Sequence, residues 1–139
     1  MNMNTLPVVA LTLGDPAGIG PELIARLLAD PATCTLANVV VAGDPWLWED
    51  GQRIAGVKIA TAPVAGFADV RGRADTSRPA FLALDTIRPD QTHRSQAEAA
   101  GGAAALGVLD ACMDAALARH IDAICFAPLP NDTLTVCPS

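Results

Sequence analysis

Residues 7 to 28, PVVALTLGDPAGIGPELIARLL, contain the pattern that decides the fold. The segment Pro7–Leu13 is apolar at nearly every position, which is typical of a strand buried on both faces of a parallel sheet. Glycines and a proline then interrupt the apolar run at Gly14–Gly20. Pro21 suits the first position of a helix, where its missing N–H costs nothing, and Glu22 suits the positive end of the helix dipole. The sequence therefore predicts a strand, a glycine-rich loop and a helix.

Apolar runs alternate with helical patterns along the rest of the chain. We predict strands at Asn38–Ala42, Val57–Ala60, Phe81–Leu84 and Ile121–Ala127, a short helix at Trp46–Glu49 and a long helix at Gln96–His120. The long helix contains Gly101, Gly102 and Gly107, which indicate close packing against a neighbouring element. This alternation predicts an α/β fold with a mostly parallel sheet and flanking helices. Because Pro7–Leu13 and Ile121–Ala127 are apolar on successive residues, we expect both to be interior strands.

The composition argues against two classes of partner. Nine Lys and Arg against 15 Asp and Glu give a net charge of −6 at pH 7, so we expect no binding to nucleic acid and none to a membrane surface. The amino terminus has neither the basic residues nor the long apolar run of a secretory signal or a spanning helix, and we expect a cytoplasmic protein. The four cysteines form no Cys-x-x-Cys pair and no disulfide framework. We expect Cys34, Cys112 and Cys125 to be reduced thiols that serve as small apolar side chains.

The loop Gly14–Gly20 is the first candidate for a ligand site. It would lie beyond the carboxyl end of a parallel strand, where ligands of such sheets bind. Its backbone N–H groups and the following helix end could receive a phosphate or a carboxylate. It is neither the Gly-x-Gly-x-x-Gly of dinucleotide folds nor a P-loop. The alternative is a structural turn in which Asp15 bonds its own backbone. The Gly-Asp-Pro of this loop recurs at Gly43–Pro45, after the second predicted strand.

The string LTLGDPAGIGPE at Leu11–Glu22 strongly resembles the amino-terminal signature of the 4-hydroxythreonine-4-phosphate dehydrogenase family of pyridoxal phosphate biosynthesis. Later features occur in the family's order: VVAGDP at Val40–Pro45, the entry into the long helix at Ser95–Gly102, and Ile121–Ile124 leading to Ala127–Leu129. The resemblance runs from about Pro7 to Leu129.

This resemblance implies a fold like part of the isocitrate and isopropylmalate dehydrogenases. It implies oxidation of 4-(phosphooxy)-L-threonine, with decarboxylation, by NAD or NADP. A divalent metal would act as a Lewis acid on the alcohol, and the nicotinamide would take the hydride. The resemblance also implies a phosphorylated small-molecule substrate and a homodimer. At the matching positions it implies substrate-binding or cleft-shaping roles for Gly14, Asp15, Gly18, Gly20, Glu22 and Asn131. It gives no residue of this chain as a catalytic acid or base, or as a metal ligand.

The sequence departs from the family pattern after Leu129. The remaining residues, PNDTLTVCPS, lack the family's lysine after the asparagine and its later His-Thr pair. The family's metal-binding histidines also belong beyond this point. We therefore expect residues 1–129 to form an incomplete α/β domain of a longer dehydrogenase, residues 130–139 to be a divergent carboxyl-terminal tail, and the chain alone to be inactive and to bind no cofactor tightly.

Two other hypotheses remain open. One is a non-catalytic α/β remnant that binds at most a phosphate or a partner subunit. The other is a fragment of a paralogue that acts on a phosphorylated sugar acid or a cyclic diol, because the signature loop alone does not specify the substrate.

Overall fold

The fold was analysed in a computed structural model that describes residues 6–13, 20–85 and 99–126, with side chains of the last helix described from residue 105 onward. Its elements are β1 (Val8–Thr12), α1 (Gly20–Leu28), α2 (Thr33–Leu36), β2 (Asn38–Gly43), α3 (Pro45–Ala55), β3 (Ala62–Val64), a 3-10 turn (Phe67–Asp69), β4 (Ala80–Ala83), α4 (Ala99–Leu117) and β5 (Ala123–Phe126). The strand and the helix predicted at the beginning of the chain are thus confirmed at β1 and α1, and the loop predicted between them lies outside the described residues up to Gly20.

The strands form one sheet in the order β3-β4-β2-β1-β5, and every neighbouring pair is parallel. β1 lies between β2 and β5, with Thr12 opposite both Ala42 and Phe126. The helices connect these parallel strands and cover the sheet, as crossover connections require. The predicted α/β fold with a parallel sheet and flanking helices is therefore confirmed.

Alternate side chains of the strands point into two separate cores. On one face, Leu11, Val41 and Phe81 belong to a core shared with α1 and α3. On the other face, Ala10 and Val40 belong to a core shared with α4. This alternation explains why β1 and β2 are apolar at successive residues, since neither face of these strands meets water.

β5 corrects one of the predictions, because it is an edge strand in the described part of the chain. Its only described neighbour is β1. Ala123, Cys125 and Phe126 are exposed, Phe126 by 55%, and only Ile124 packs against the α4 core. The expected interior position is therefore confirmed for β1 and wrong for β5. Apolar residues on both faces indicate a strand that can be buried, but they do not specify which strands pair with it.

All three described cysteines are free thiols, as expected. Cys34 and Cys112 are buried, which agrees with a role as small apolar side chains. Cys125 is exposed on the edge strand β5 and does not have that role in the described part of the chain.

The segment predicted as a strand at Val57–Ala60 is not one. The Ile59 N–H donates to the Gln52 side-chain oxygen at 2.7 Å, so α3 takes the hydrogen bond that a neighbouring strand would need. Pairing begins instead at Ala62, whose N–H donates to the Pro79 carbonyl at 2.9 Å. The strand predicted at Phe81–Leu84 is confirmed as β4, shifted by one residue.

α3 is longer than the helix predicted at Trp46–Glu49, because it continues through Gly51 and ends at Gly56. Gly56 has a left-handed φ of 72° and donates its N–H to the Arg53 carbonyl. The Val57 N–H bonds back to the Gln52 carbonyl at 3.0 Å. These two bonds form a Schellman ending, for which glycine is the favoured residue.

α4 presents a face of smaller apolar residues to the core and leaves two larger ones exposed. Val108 and Cys112 are buried, whereas Met113 and Leu117 are 51% and 83% exposed. A Cβ at Gly107 would meet nothing within 4 Å, so the predicted close packing is wrong there; the surroundings of Gly101 and Gly102 lie outside the described side chains. Among the residues that the structure describes, no helix is long and apolar enough to cross a membrane.

Candidate functional site

The candidate site is the edge of the sheet at the carboxyl ends of β1 and β2. The two strands are parallel and in register, with Thr12 opposite Ala42, so both strands end at the same edge. The second Gly-Asp-Pro segment, Gly43–Pro45, ends β2 and begins α3. The first, Gly14–Pro16, lies outside the described residues. The structure therefore shows the two strand ends and two helix starts that frame the predicted loop.

Two glycines allow the elements around this edge to approach closely. A Cβ at Gly51 of α3 would lie 2.6 Å from the carbonyl carbon of Pro21, at the beginning of α1. A Cβ at Gly43 would lie 2.7 Å from the Leu13 Cδ1 atom. A side chain at Gly51 would separate α3 from the beginning of α1, whereas a side chain at Gly43 would displace the Leu13 side chain. Glycine at position 51 thus allows α1 to begin close to α3.

The structure brings two of the predicted site residues to this edge. Gly20 is the first residue of α1 and is buried. Glu22 lies in the first turn, with an 18% exposed side chain 3.8 Å from Arg26. A carboxylate there is stabilised by the positive end of the helix. The other predicted residues, Gly14, Asp15, Gly18 and Asn131, lie outside the described ranges.

Asp44 is a residue of this edge that the sequence analysis did not select. It is 3% exposed and occupies the N-cap position of α3. Its carbonyl accepts hydrogen bonds from the N–H groups of Leu47 and Trp48, both at 3.1 Å. The repeated Gly-Asp-Pro was the signal that could have identified it, once β1 and β2 were known to be neighbours.

Thr12 adds a second buried polar side chain near the same edge, with 3% exposure. A hydroxyl can donate and accept a hydrogen bond, whereas an ionised carboxylate only accepts. Both side chains are almost fully buried, so the N–H groups at the beginning of α1 are the described groups of this edge that can receive an anionic part of a ligand.

Charged groups at the opposite, amino-terminal edge hold the fold together. The Asp122 carboxylate accepts hydrogen bonds from the Val8 N–H at 2.8 Å and from two Arg71 nitrogens at 3.0 and 3.1 Å. Arg71 also donates to the Arg119 carbonyl at 3.0 Å. The hydrogen bond from Arg71, with that from Val8, keeps the pKa of Asp122 below its usual value. This cluster ties the beginnings of β1 and β5 to the end of α4.

The described residues do not by themselves fit the divalent metal that the family resemblance implies. Among them, no three His, Cys, Asp or Glu side chains lie close enough to hold a metal ion. His120 follows the carboxyl end of α4, and its backbone N–H donates to the Ala115 carbonyl. This end of α4 lies at the amino-terminal edge of the sheet, away from the candidate site. No described residue is therefore assigned to the metal or to the nicotinamide.

Comparisons with known proteins agree with the signature at Leu11–Glu22. No family model matches the chain. A Rhizobium meliloti protein with the provisional name 4-hydroxythreonine-4-phosphate dehydrogenase 2 is 38% identical over 122 residues, which are 88% of this chain and 34% of that protein. A Symbiobacterium thermophilum protein with the provisional name D-threonate 4-phosphate dehydrogenase is 30% identical over 95% of this chain and 39% of that protein.

The same relationship is seen in three dimensions. The crystal structure of a 4-hydroxythreonine-4-phosphate dehydrogenase from Burkholderia phymatum matches with a TM-score of 0.81 and 29% identity, over 94% of this chain and 39% of that one. The chain thus spans 34% to 39% of the length of these proteins. Over about nine tenths of its own length, the chain matches the amino-terminal part of the 4-hydroxythreonine-4-phosphate dehydrogenase family.

Proposed function

We propose that this chain is the amino-terminal part of a cytoplasmic dehydrogenase that oxidises the 3-hydroxyl of a 4-phosphorylated four-carbon acid with NAD or NADP. With 4-(phosphooxy)-L-threonine as the acid, the reaction belongs to pyridoxal phosphate biosynthesis. The observation that carries the proposal is the match to dehydrogenases over about nine tenths of the chain, with its signature motif leading from β1 into α1.

In this proposal the carboxyl edge of β1 and β2 binds and orients the acid. The positive end of α1, beginning at Gly20, attracts the phosphate or the carboxylate. The loop residues Gly14, Asp15 and Gly18 line the cleft, as do Glu22 and, more distantly in sequence, Asn131. The nicotinamide and the divalent metal are held outside the described residues.

Two substrates are compatible with the names of the relatives. 4-Hydroxythreonine 4-phosphate carries an amine on carbon 2, whereas D-threonate 4-phosphate carries a hydroxyl there. Both have a carboxylate, a 3-hydroxyl and a 4-phosphate. The Symbiobacterium thermophilum relative supports the second acid as the alternative substrate.

We propose a homodimer as the assembly of the whole enzyme. Met113 and Leu117 support this, because large apolar side chains exposed on one helix favour burial against another surface. Among the described residues they are on the outer face of α4.

A chimaera tests the proposal. Residues 1–129 of this chain would replace the corresponding amino-terminal part of the Burkholderia phymatum protein. We expect this chimaera to sediment as a dimer and to reduce NAD or NADP with one of the two acids when a divalent metal is added, with the ratio of kcat/KM values identifying the preferred acid. The 139-residue chain alone should give no turnover, because hydride transfer needs an oriented acceptor.

The unmodified Burkholderia phymatum protein is the control for assay conditions. A chimaera with a native-like circular dichroism spectrum that oxidises neither acid, while the control is active, would contradict the proposal and favour a non-catalytic remnant. Metal-dependent turnover by the 139-residue chain alone would show that the expected inactivity is wrong.

A further inference from the structure

A second cleft lies at the amino-terminal edge of the sheet, opposite the candidate site. It has a volume of about 470 Å³ and is formed where the end of α1 meets the segments that lead into β3 and β4. Ligand sites of ordinary proteins occupy roughly 300–1,000 Å³. The cleft is therefore large enough for a small organic molecule.

The wall of this cleft is mostly apolar. Leu28 and Pro31 contribute from the end of α1 and the turn after it, Val57 and Ile59 from the segment after α3, and Pro79 from the residue before β4. Buried Cys34 completes the wall, and its burial raises the pKa of the thiol, so that this wall is uncharged at neutral pH. Such a surface favours the apolar body of a ligand.

Two cations lie at this apolar wall in a protein whose net charge is −6. They are Lys58, the only lysine of the chain, and Arg78. Both are exposed, and within the described ranges neither side chain forms a salt bridge. Arg73 lies close behind, near enough for its charge to act on both Cys34 and Arg78, and it donates to the Arg78 carbonyl at 3.0 Å.

Two carboxylates lie near these cations. Asp75 accepts hydrogen bonds from the N–H and the hydroxyl of Ser77, and its charge also acts on Arg73 and Arg78. Asp30 accepts a hydrogen bond from the Ala32 N–H at 3.0 Å. Within the described part of the chain neither carboxylate forms a salt bridge, so Lys58 and Arg78 keep exposed donors for an anionic ligand beside the apolar surface.

We propose that this cleft binds a small organic anion in which a carboxylate or a phosphate is attached to an apolar body. Lys58 and Arg78 meet the anionic group, and the Leu28, Val57 and Ile59 side chains meet the body. The inference depends on the fold and not on the proposed function, because the cleft and the candidate site are at opposite edges of the sheet.

The test uses 4-phenylbutyrate as the anionic probe and 4-phenylbutan-1-ol as its uncharged match. Both are titrated into the full 139-residue chain while the amide resonances are followed by NMR. We expect saturable shifts at Val57, Lys58, Ile59, Ser77 and Arg78 with the carboxylate. The alcohol should bind about tenfold more weakly, because it cannot pair with the two exposed cations.

The variant Lys58→Gln with Arg78→Gln should also weaken 4-phenylbutyrate about tenfold. The control variant is Arg26→Gln with Arg53→Gln. It also removes two positive charges, but from positions on α1 and α3 that do not line the cleft, so the affinity for 4-phenylbutyrate should not change. If the test variant does not keep a native-like circular dichroism spectrum, the natural chain is titrated at increasing salt concentrations instead. Salt should then weaken the binding of 4-phenylbutyrate, because it screens the two cations.

Equal affinity for acid and alcohol would overturn the proposal. So would equal affinity of the test variant and the natural chain, or shifts confined to residues outside the cleft.

Discussion

Asp122 shows how one exposed carboxylate can position three parts of the fold. It bonds to the Val8 N–H at the beginning of β1 and to Arg71, which in turn bonds to the Arg119 carbonyl after α4. Arg71 and Asp122 are 51 positions apart in the chain. No local pattern joins them, so the sequence could not predict this cluster.

Replacing Asp122 with Asn should make this contribution visible through its dependence on pH. The pKa of Asp122 is held below its usual value, so the ionised form stabilises the fold above the unfolded pKa of about 3.9. This stabilisation is lost as the pH falls through the lower folded pKa. We expect the variant to be less stable by about 1 kcal/mol at pH 5 to 7, from the weakened charged hydrogen bonds.

Urea unfolding at a series of pH values from 3 to 7 measures the difference between the natural chain and the variant. The difference should begin to shrink below about pH 4, because the unfolded chain then takes up a proton that folded Asp122 takes up only at lower pH. Asp110→Asn, which changes an exposed carboxylate on α4, is the control and should show little difference. A constant difference across this pH range would contradict the assigned role of Asp122.

Among the helices and strands, local sequence patterns predict which segments form an element, but not which strands are neighbours in the sheet. β1, α1 and β2 were predicted correctly because their signals are local: apolar runs, a glycine-rich break and Pro21 at a helix start. The strand predicted at Val57–Ala60 was wrong because the side chain of Gln52 takes one of its hydrogen bonds. β5 was predicted as a strand but not as an edge, because composition does not specify a strand's neighbours.

The contact between α1 and α3 is an element-scale feature that one substitution can test. Gly51→Ala places a Cβ 2.6 Å from the Pro21 backbone, which a helix start cannot easily move away from. We expect a loss of about 1–3 kcal/mol in the free energy of unfolding, as is usual for overpacking. Amide shifts should extend to Gly20 and Glu22, because the beginning of α1 must shift.

The matched control is Gly107→Ala, which also lies inside a helix and whose Cβ would meet nothing within 4 Å. Both variants gain the same helix propensity from alanine, so urea denaturation of the two variants and the natural chain isolates the clash. A Gly51→Ala variant as stable as the Gly107→Ala variant would show that the close approach of α1 and α3 is not needed.

At the scale of the whole molecule, the two edges of the sheet have different compositions. The amino-terminal edge carries the Asp122 cluster and the cleft beside Lys58 and Arg78. The carboxyl edge brings together the ends of β1 and β2. The sequence predicted a site at Gly14–Gly20, because a glycine loop after a buried strand lies at that edge. Buried Asp44 joins the site only through the pairing of β1 with β2, which no stretch of sequence shows.

The most direct measurement of the central claim is an amide NMR titration of the chain with 4-(phosphooxy)-L-threonine. We expect shifts at Leu13, Gly20, Glu22 and Asp44 and in the loop that joins β1 to α1. Binding should be weak, in the millimolar range or poorer, because a helix end by itself attracts an anion by only about 0.3–1 kcal/mol. If these carboxyl-edge amides stay unmoved at tens of millimolar ligand while other amides respond, the edge is not the ligand-binding face and the account is contradicted.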